Sequence, residues 1–569
     1  VTAPTTKASA EPKVYSHSEI LGVMTGLLAA LFTAMISTTI VATALPTIMA
    51  ALNGTQRQYT WVITASLLTM TISTPIWGKL SDLFNKKFLT QLAIVLFVAG
   101  SVLAGCAHEV WLLMPARAIQ GIAMGGLIAT AQSVMGSIIS PRDRGRYSGY
   151  MGAVMAVATV SGPLLGGLIT DHFGWRWTFF VCVPLAVIAL VLIQTKLHLE
   201  HTPRRHVKID YLGSVLLAIA AALPMLWVTF AGTSYDWISL ESLAFGIAFL
   251  IAAGLTVVVE LRVPEPMLPL RVLHNRATIL MILGSIAVGV AMFGPGVFLT
   301  QYFQLGDGFS PTKAGVMTIP MIVAQMLSAT ICGQIVSRTG RIKRVMVLGG
   351  ATMLVGLGGL GFIDHQTSYL QVAIFMAIAG VGIGTLMQNI VLVVQNTVDV
   401  TEVGAASAAI AFFRSLGGAI GVSVLGAVLT TLVANNVTDG LRSVGINPGQ
   451  MSGGGDTKLD ISALPGPIQE IVHHAYSDAF GPVFMISAGT AVVTFICVVL
   501  LKEINLRTTI AKEDPHDDAP EPAADTLDPA AATSAATAAA EMIDAPRSAG
   551  HTESPVHLDG KGETVPSRR

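Results

Sequence analysis

The sequence predicts an all-α membrane protein. Of its 569 residues 52% are hydrophobic and only 12% charged, with a mean hydropathy of +0.67, whereas soluble domains carry about 25% charged residues. The apolar residues fall into runs near the roughly 20 residues that one helix needs to cross a bilayer. Between the runs, short basic loops alternate with loops that hold no Lys or Arg, the pattern left by the positive-inside bias.

The predicted spans are 20–43, 58–77, 88–107, 111–138, 147–170, 177–196, 211–230, 240–260, 277–300, 313–336, 344–363, 370–394, 405–431 and 480–501, about fourteen in all, each near spanning length. Residues 1–19 are polar and lead into a run of full spanning length, which reads as a retained first span, not a signal peptide. Basic loops carry Lys79, Lys86 and Lys87, then Arg142, Arg144 and Arg146, then Lys196, Arg204, Arg205 and Lys208, and later Arg338, Arg341, Lys343 and Arg344. The intervening "AHEVW" (107–111), "GTSYDWIS" (232–239) and "DHQTSY" (364–369) carry none. The basic loops are therefore expected in the cytoplasm, and an even span count puts both termini there. The stretch "QNTVDVTEVGA" (395–405), with two acids and no base, departs from the bias. A long outer loop is predicted at 432–479, and the Ala-, Pro- and acid-rich segment 506–569 reads as a disordered cytoplasmic tail.

Several function classes are excluded. The net charge of −1 implies no nucleic-acid partner. The four cysteines, Cys106, Cys182, Cys332 and Cys497, form no CxxC pair and no metal spacing, and read as small buried hydrophobes. "GVGIG" (380–384) lies inside an apolar run with no GxxxxGK[ST] after it, so ATP-driven pumping is not expected. No catalytic triad or zinc-ligand spacing appears, so the chain reads as a non-enzyme without cofactor or metal.

The fifth run contains "VATVSGPLLGGLITDHFGWRWTFF" (157–180), with Gly162-Pro163 and Gly166-Gly167 in an apolar helix. Glycine and proline cost about 1 and about 3 kcal/mol against alanine in a helix in water. In a membrane a proline is tolerated where packed neighbours satisfy the freed carbonyl. Ala158, Gly162 and Gly166 recur at i, i+4 and i+8, so they line one face, and a face of small residues lets a neighbouring backbone approach closely.

Three motifs occur in order: "GKLSDLFNKK" (78–87), "LMPARAIQG" (113–121) and "ATVSGPLLGG" (158–167). With "STTIVATALP" (37–46), "WRWTFF" (175–180) and "FFRSLGGAIG" (412–421), the chain from 20 to about 505 resembles the major facilitator superfamily, and within it the fourteen-span drug:proton antiporters. The resemblance implies a major facilitator fold. Its six-helix halves would be 20–196 and 261–505, with the linker and two extra central helices at 197–260. "GQIVSRTGRIKR" (333–344) echoes the first-half loop, with Ser337 at the acid position.

The resemblance also implies site residues. Gly78, Asp82, Lys86 and Lys87 would form an inner-loop latch between the halves, with Asp399 and Glu402 as expected partners. Gly78 is expected in a tight turn after the span. Asn85 stands where the family usually has glycine, and its tolerance of the left-handed region would preserve the turn. Ala158, Gly162, Pro163, Gly166 and Gly167 would form the packing face of exporters that exchange substrate for protons. Arg117, Gln120 and Arg414 are candidates for a buried-charge or proton-relay site. A mid-membrane arginine costs roughly 2.5–3.5 kcal/mol on insertion scales and normally faces the bundle interior or water; a helix-to-helix hydrogen-bonding post is the other reading of Arg117.

One departure matters for mechanism. The family's usual aspartate is replaced by Ser37 and its usual asparagine by Ala42, and no carboxylate falls in the middle of any predicted span. Proton carriage is then left to Asp171 or Asp364, near outer ends, or coupling is weak. Ser37, Thr38, Thr39, Gln132, Gln325, Gln388 and Asn389 are candidates to line a cavity, with Trp61, Phe293, Phe298 and Met387 as apolar surface; core packing is the competing role for each. The expected activity is proton-exchanged export of an amphiphilic small molecule across the plasma membrane by a functional monomer in the lipid bilayer. A facilitator or lipid-metabolite exporter with little proton coupling, and a non-transporting membrane sensor, are the alternatives.

Overall fold

A computed structural model describes residues 17–138, 144–197, 210–231, 235–236, 238–263, 275–398, 403–444 and 465–503. The expected tails 1–19 and 506–569 lie outside these residues almost entirely, as do Asp399 and Glu402 and the side chain of Asp82. The described residues are almost wholly helical. The first group is α1 (His17–Ala51), α2 (Gln56–Leu83), α3 (Lys86–Gly105), α4 (Val110–Ile138), α5 (Arg144–Phe173) and the broken sixth run α6 (Trp177–Phe180) and α7 (Cys182–Lys196). Next come α8 (Tyr211–Phe230) and α9 (Leu240–Arg262). The last group is α10 (Arg276–Gln301) with a π-turn (Tyr302–Gly306), the broken run α11 (Pro311–Met317) and α12 (Ile319–Thr339), then α13 (Ile342–Leu360), α14 (Tyr369–Thr397), α15 (Val403–Ser443) and α16 (Gly466–Leu500).

Among the described residues, 11 helical runs are long and apolar enough to cross a membrane. The other three runs are α2, α5 and α8; the apolar part of α8, Leu212–Val228, is short, and α2 and α5 carry Ser, Thr and Gly in place of larger apolar side chains. Every predicted span corresponds to one helical run. The ends differ, because polar caps and not apolarity set them. Thr55 and Gln58 form a reciprocal capping box that starts α2, and Ser239, Asn275 and Ser310 cap α9, α10 and α11.

Three expectations are corrected here. Gly78 is not in a turn: it lies inside α2, which continues to Leu83. Asn85 does not adopt a left-handed conformation; at φ −62° and ψ 116° it is the N-cap of α3, its side chain accepting from the N–H groups of Lys87 and Phe88. The stretch 432–479 is not loop throughout, since α15 runs to Ser443 and α16 begins at Gly466. Alternating apolar contacts keep these ends helical: Val433 and Leu441 on one side, and Val472, Ala475 and Tyr476 on the other, are buried.

The packing repeats. In the first group α1 packs on α5 and α7, and α4 on α2 and α3; in the last group α10 packs on α15 and α16, and α14 on α12 and α13. The sequence echo at 333–344 is thus matched by two equivalent helix arrangements. They meet through α2 against α15, α5 against α11 and α1 against α10. α8 touches α2 and α15 and carries α9 on its other side, with Leu217 of α8 packed on Phe412 of α15.

Candidate transport path

The glycine face of α5 meets two different helices. A Cβ on Gly162 would overlap the Thr39 side chain of α1, and one on Gly166 would sit 2.7 Å from the Ile40 carbonyl oxygen. A Cβ on Gly167 would sit 2.7 Å from the Pro311 carbonyl oxygen of α11, and one on Gly315 would strike the Pro163 carbonyl. The small residues therefore hold α5 against α1 within the first half and against α11 across to the second. Thr39 Oγ1 donates to the Ala158 carbonyl at 3.4 Å, completing the seam. At its far end Asp171 Oδ2 accepts from the Thr312 N–H at 3.0 Å.

A second set of contacts joins the halves through neutral amides. Gln56, first residue of α2, donates Nε2 to Gln301 Oε1 at 3.3 Å, and both side chains are fully buried. Gln304, in the π-turn, donates to the Thr43 carbonyl of α1 at 2.7 Å. Deeper in, the Thr64 and Ser423 hydroxyls lie 3.1 Å apart across α2 and α15. These groups cluster at the end of the bundle opposite Lys79, Lys86 and Lys87. Each amide bonds the other in a fully buried site, and removing one partner leaves a buried amide unpaired at about 1–3 kcal/mol. Gln56→Leu alone or Gln301→Leu alone should therefore open this end, seen as faster labelling of a cysteine at position 47 or 304. The double replacement should return labelling toward the parent level.

A family profile described as Major Facilitator Superfamily matches residues 27–422. The chain belongs to the Major Facilitator Superfamily. It is 34% identical over 497 residues, 87% of this chain and 71% of that protein, to an uncharacterized MFS-type transporter of Mycobacterium tuberculosis. It is 32% identical over 418 residues, 74% of this chain and 77% of that protein, to the multidrug transporter protein MdtP of Bacillus subtilis. Among solved structures it is similar to a bacterial homolog of the human lysosomal transporter Spinster in an inward-facing, unoccupied conformation, with TM-score 0.59, 13% identity, and 85% and 98% of the two chains covered. At that identity the likeness concerns the fold. The protein is a multi-pass membrane transporter of the cell membrane, not an enzyme.

Within this major facilitator fold the candidate residues separate into groups. Arg117 is only 4% exposed and donates Nη1 to Gln120 Oε1 at 2.8 Å. Gln120 passes the chain on to Ser101 of α3 at 2.9 Å. That is the geometry of a post between α4 and α3. Arg414 is half-buried on α15 and donates to the Met387 carbonyl of α14 at 3.2 Å. The buried carboxylates among the described residues, Asp210 and Glu260, stand at the N-cap of α8 and near the C-terminus of α9, away from both arginines in sequence and helix position.

The cavity candidates also divide. Ser37 and Asn389 are buried, Asn389 donating to the Thr385 carbonyl of its own helix at 2.6 Å, and Phe298 is in the packed core. Thr39 belongs to the α1–α5 seam, and half-buried Thr38 donates to the Ala34 carbonyl at 3.1 Å. Gln132 and Gln388 are exposed, and Gln325 and Trp61 are half-buried, with the Trp61 ring 6.1 Å from that of Phe230 on α8. Lys86 Nζ donates to the Ser133 carbonyl near the C-terminal end of α4 at 3.2 Å, and Lys87 Nζ to the Gln194 carbonyl of α7 at 2.7 Å. These cations sit on helix C-termini of their own half, where the dipole favours them. Hydrogen bonds from the Thr367 hydroxyl and the Gln366 N–H hold the Asp364 carboxyl below the usual range. The amides Gln56, Gln301 and Gln304 went unread in the sequence, although the i, i+3 spacing of the last two at the end of an apolar run was their one visible signal.

Proposed function

We propose that the protein is a secondary active exporter that exchanges hydrophobic or amphiphilic compounds for protons by alternating access. In this reading fourteen helices cross the membrane and both termini lie in the cytoplasm. The observation that carries it is the α5 face of Gly162, Gly166 and Gly167, pressed on one side against Thr39 and Ile40 and on the other against Thr312. Such a face couples the movement of α1 to the contact between halves, which rocking requires. The names of relatives such as the multidrug transporter of Bacillus subtilis agree with export of small molecules.

The charge distribution supports a substrate class. Arg117 and Arg414 are the deep charges, and among the described residues no buried carboxylate lies beside them. A permanent dication entering that interior meets like charge in a medium of reduced dielectric. The favoured substrates are neutral or weakly anionic amphiphiles. The loop with Asp82, Lys86 and Lys87 remains, in this reading, a latch of the basic end, with Lys86 and Lys87 anchored to their own half. The same lack of a deep carboxylate favours a second reading, transport with weak proton coupling. Efflux of Nile red from cells, measured with and without a protonophore, tests both. Collapse of efflux on adding the protonophore is expected, with efflux of a bis-quaternary dye at background. Gradient-insensitive efflux would establish the facilitator reading, and strong dication efflux would overturn the substrate class.

A further inference from the structure

At the end of the second half opposite the basic loops, three elements enclose a cleft of about 540 Å³. Asp307 enters it from the loop between the π-turn and α11, His365 from the loop between α13 and α14, and Glu470, His473 and His474 from α16. Solvent reaches Asp307. The groups are tied together. His473 Nδ1 lies 2.6 Å from the Leu305 carbonyl of the π-turn, so this nitrogen carries the donated hydrogen. His365 Nδ1 lies 2.8 Å from Asp478 Oδ1, and Asp478 also accepts from the His365 N–H at 3.0 Å. The His365 and His474 rings stack with centroids 4.4 Å apart. Gly308, at φ +66°, turns the chain so that its backbone lies against the His473 ring, a conformation that disfavours other residues.

The loop carrying Asp307 runs straight into the contact between halves. Ser310 caps α11, Thr312 donates its N–H to Asp171, and Gly315 packs on Pro163. Lys313 folds back, its Nζ 3.4 Å from the centre of the Phe309 ring. A change in how tightly Asp307 and its neighbours hold the π-turn therefore reaches the α5–α11 seal within a few residues.

We propose that this acid–histidine cluster is a proton-operated latch: protons arriving from the side opposite the basic loops draw the three elements together and hold α11 against α5. The proposal rests on the exporter reading for the direction from which protons come, and deepens it by naming where they act. The charges give the sign. Asp307, Asp364, Glu470 and Asp478 come from three elements, and among the described residues facing them Lys313 is the permanent cation. Tyr302 and Tyr369 complete the surroundings. The acids repel one another across the cleft, and proton uptake by Asp307 removes its share of that repulsion. Although solvent reaches part of Asp307, desolvation by the cleft walls pushes its carboxyl up to about 6, opposed by Lys313 and His473. A group with a raised pKa in the sealed arrangement binds its proton more tightly there, so acid favours the seal and alkali releases it.

The test needs no substrate. Spin labels on Phe173→Cys of α5 and Val316→Cys of α11, both exposed positions, report the seal in nanodiscs once Cys106 and Cys332 are replaced by serine. As pH falls from 8 to 5 the distance distribution should narrow toward the short-distance population, with a midpoint near pH 6. Asp307→Asn with His473→Gln should make it independent of pH, each single change should shift the midpoint, and Asp439→Asn should leave the curve as it was. An invariant distribution in the parent protein, or unaltered titration in the double variant, would overturn the latch. If the pH-dependent distance change stands while efflux ignores a protonophore, the exporter reading fails and the latch survives.

Discussion

Gly162→Leu should reduce transport by more than tenfold at near-normal abundance. The added isobutyl group would occupy the volume of the Thr39 side chain, which itself bonds to the Ala158 carbonyl. Overpacking of this kind costs roughly 1–3 kcal/mol where neighbours shift, and more where a backbone must move. Gly166→Leu meets backbone directly, with the Ile40 carbonyl oxygen 2.7 Å from the new Cβ, and should be as severe. Gly167→Leu and Gly315→Leu press on the other seam, between α5 and α11, and should hold the halves apart and give a substrate-independent proton leak. A size-compensated pair separates packing from misfolding. Gly162→Ala should be impaired, and Gly162→Ala with Thr39→Gly should recover in part, because glycine removes the Oγ1 and Cβ that the new Cβ meets; in-contact pairs are where such coupling energies appear. Measured efflux from vesicles, normalised to protein, decides this, and wild-type rates in Gly162→Leu and Gly166→Leu would mean that the face takes no part in the transport movement.

Ser37→Asp should convert the charge preference. Ser37 is buried on α1, and Cys182 has both Ser37 and Arg117 among its polar neighbours. An aspartate at 37 would enter the same interior as Arg117, whose charge is now met by the neutral Gln120. A carboxylate there supplies a proton-binding group and a counter-charge for cations. Efflux of ethidium should rise on the order of tenfold, the effect of a coupling near 1.4 kcal/mol, and should become steeply dependent on the proton gradient. Ser37→Asn, of the same shape without the charge, should do neither. If Ser37→Asp and Ser37→Asn behave alike, the missing acid is not what sets selectivity.

The sequence by itself determined the helical membrane architecture, the approximate place of each span, the repeat and the small-residue face of α5. These follow from local quantities: apolarity over about 20 residues for a span, and a fixed 3.6-residue period for the face. The Gly-Pro stretch was readable because only a close helix neighbour makes both residues tolerable in one apolar helix. What touches that face was not readable. Thr39, Ile40 and Thr312 are brought to it from two other helices, and their identity depends on helix rotation and crossing, which many distant contacts fix together. The same limit applies to the polar candidates. Ser37 and Asn389 are polar residues in apolar helices, a pattern that suits a cavity wall and a packed core equally, and only the structure shows that both side chains are buried. Lys86 and Lys87 also reach carbonyls of α4 and α7, at Ser133 and Gln194, contacts that depend on how the helices pack and that no local pattern shows. Gln56 and Gln301, 245 residues apart, show the point most simply. An amide is an ordinary residue until folding removes its water, and it then needs the one partner that the tertiary structure alone delivers.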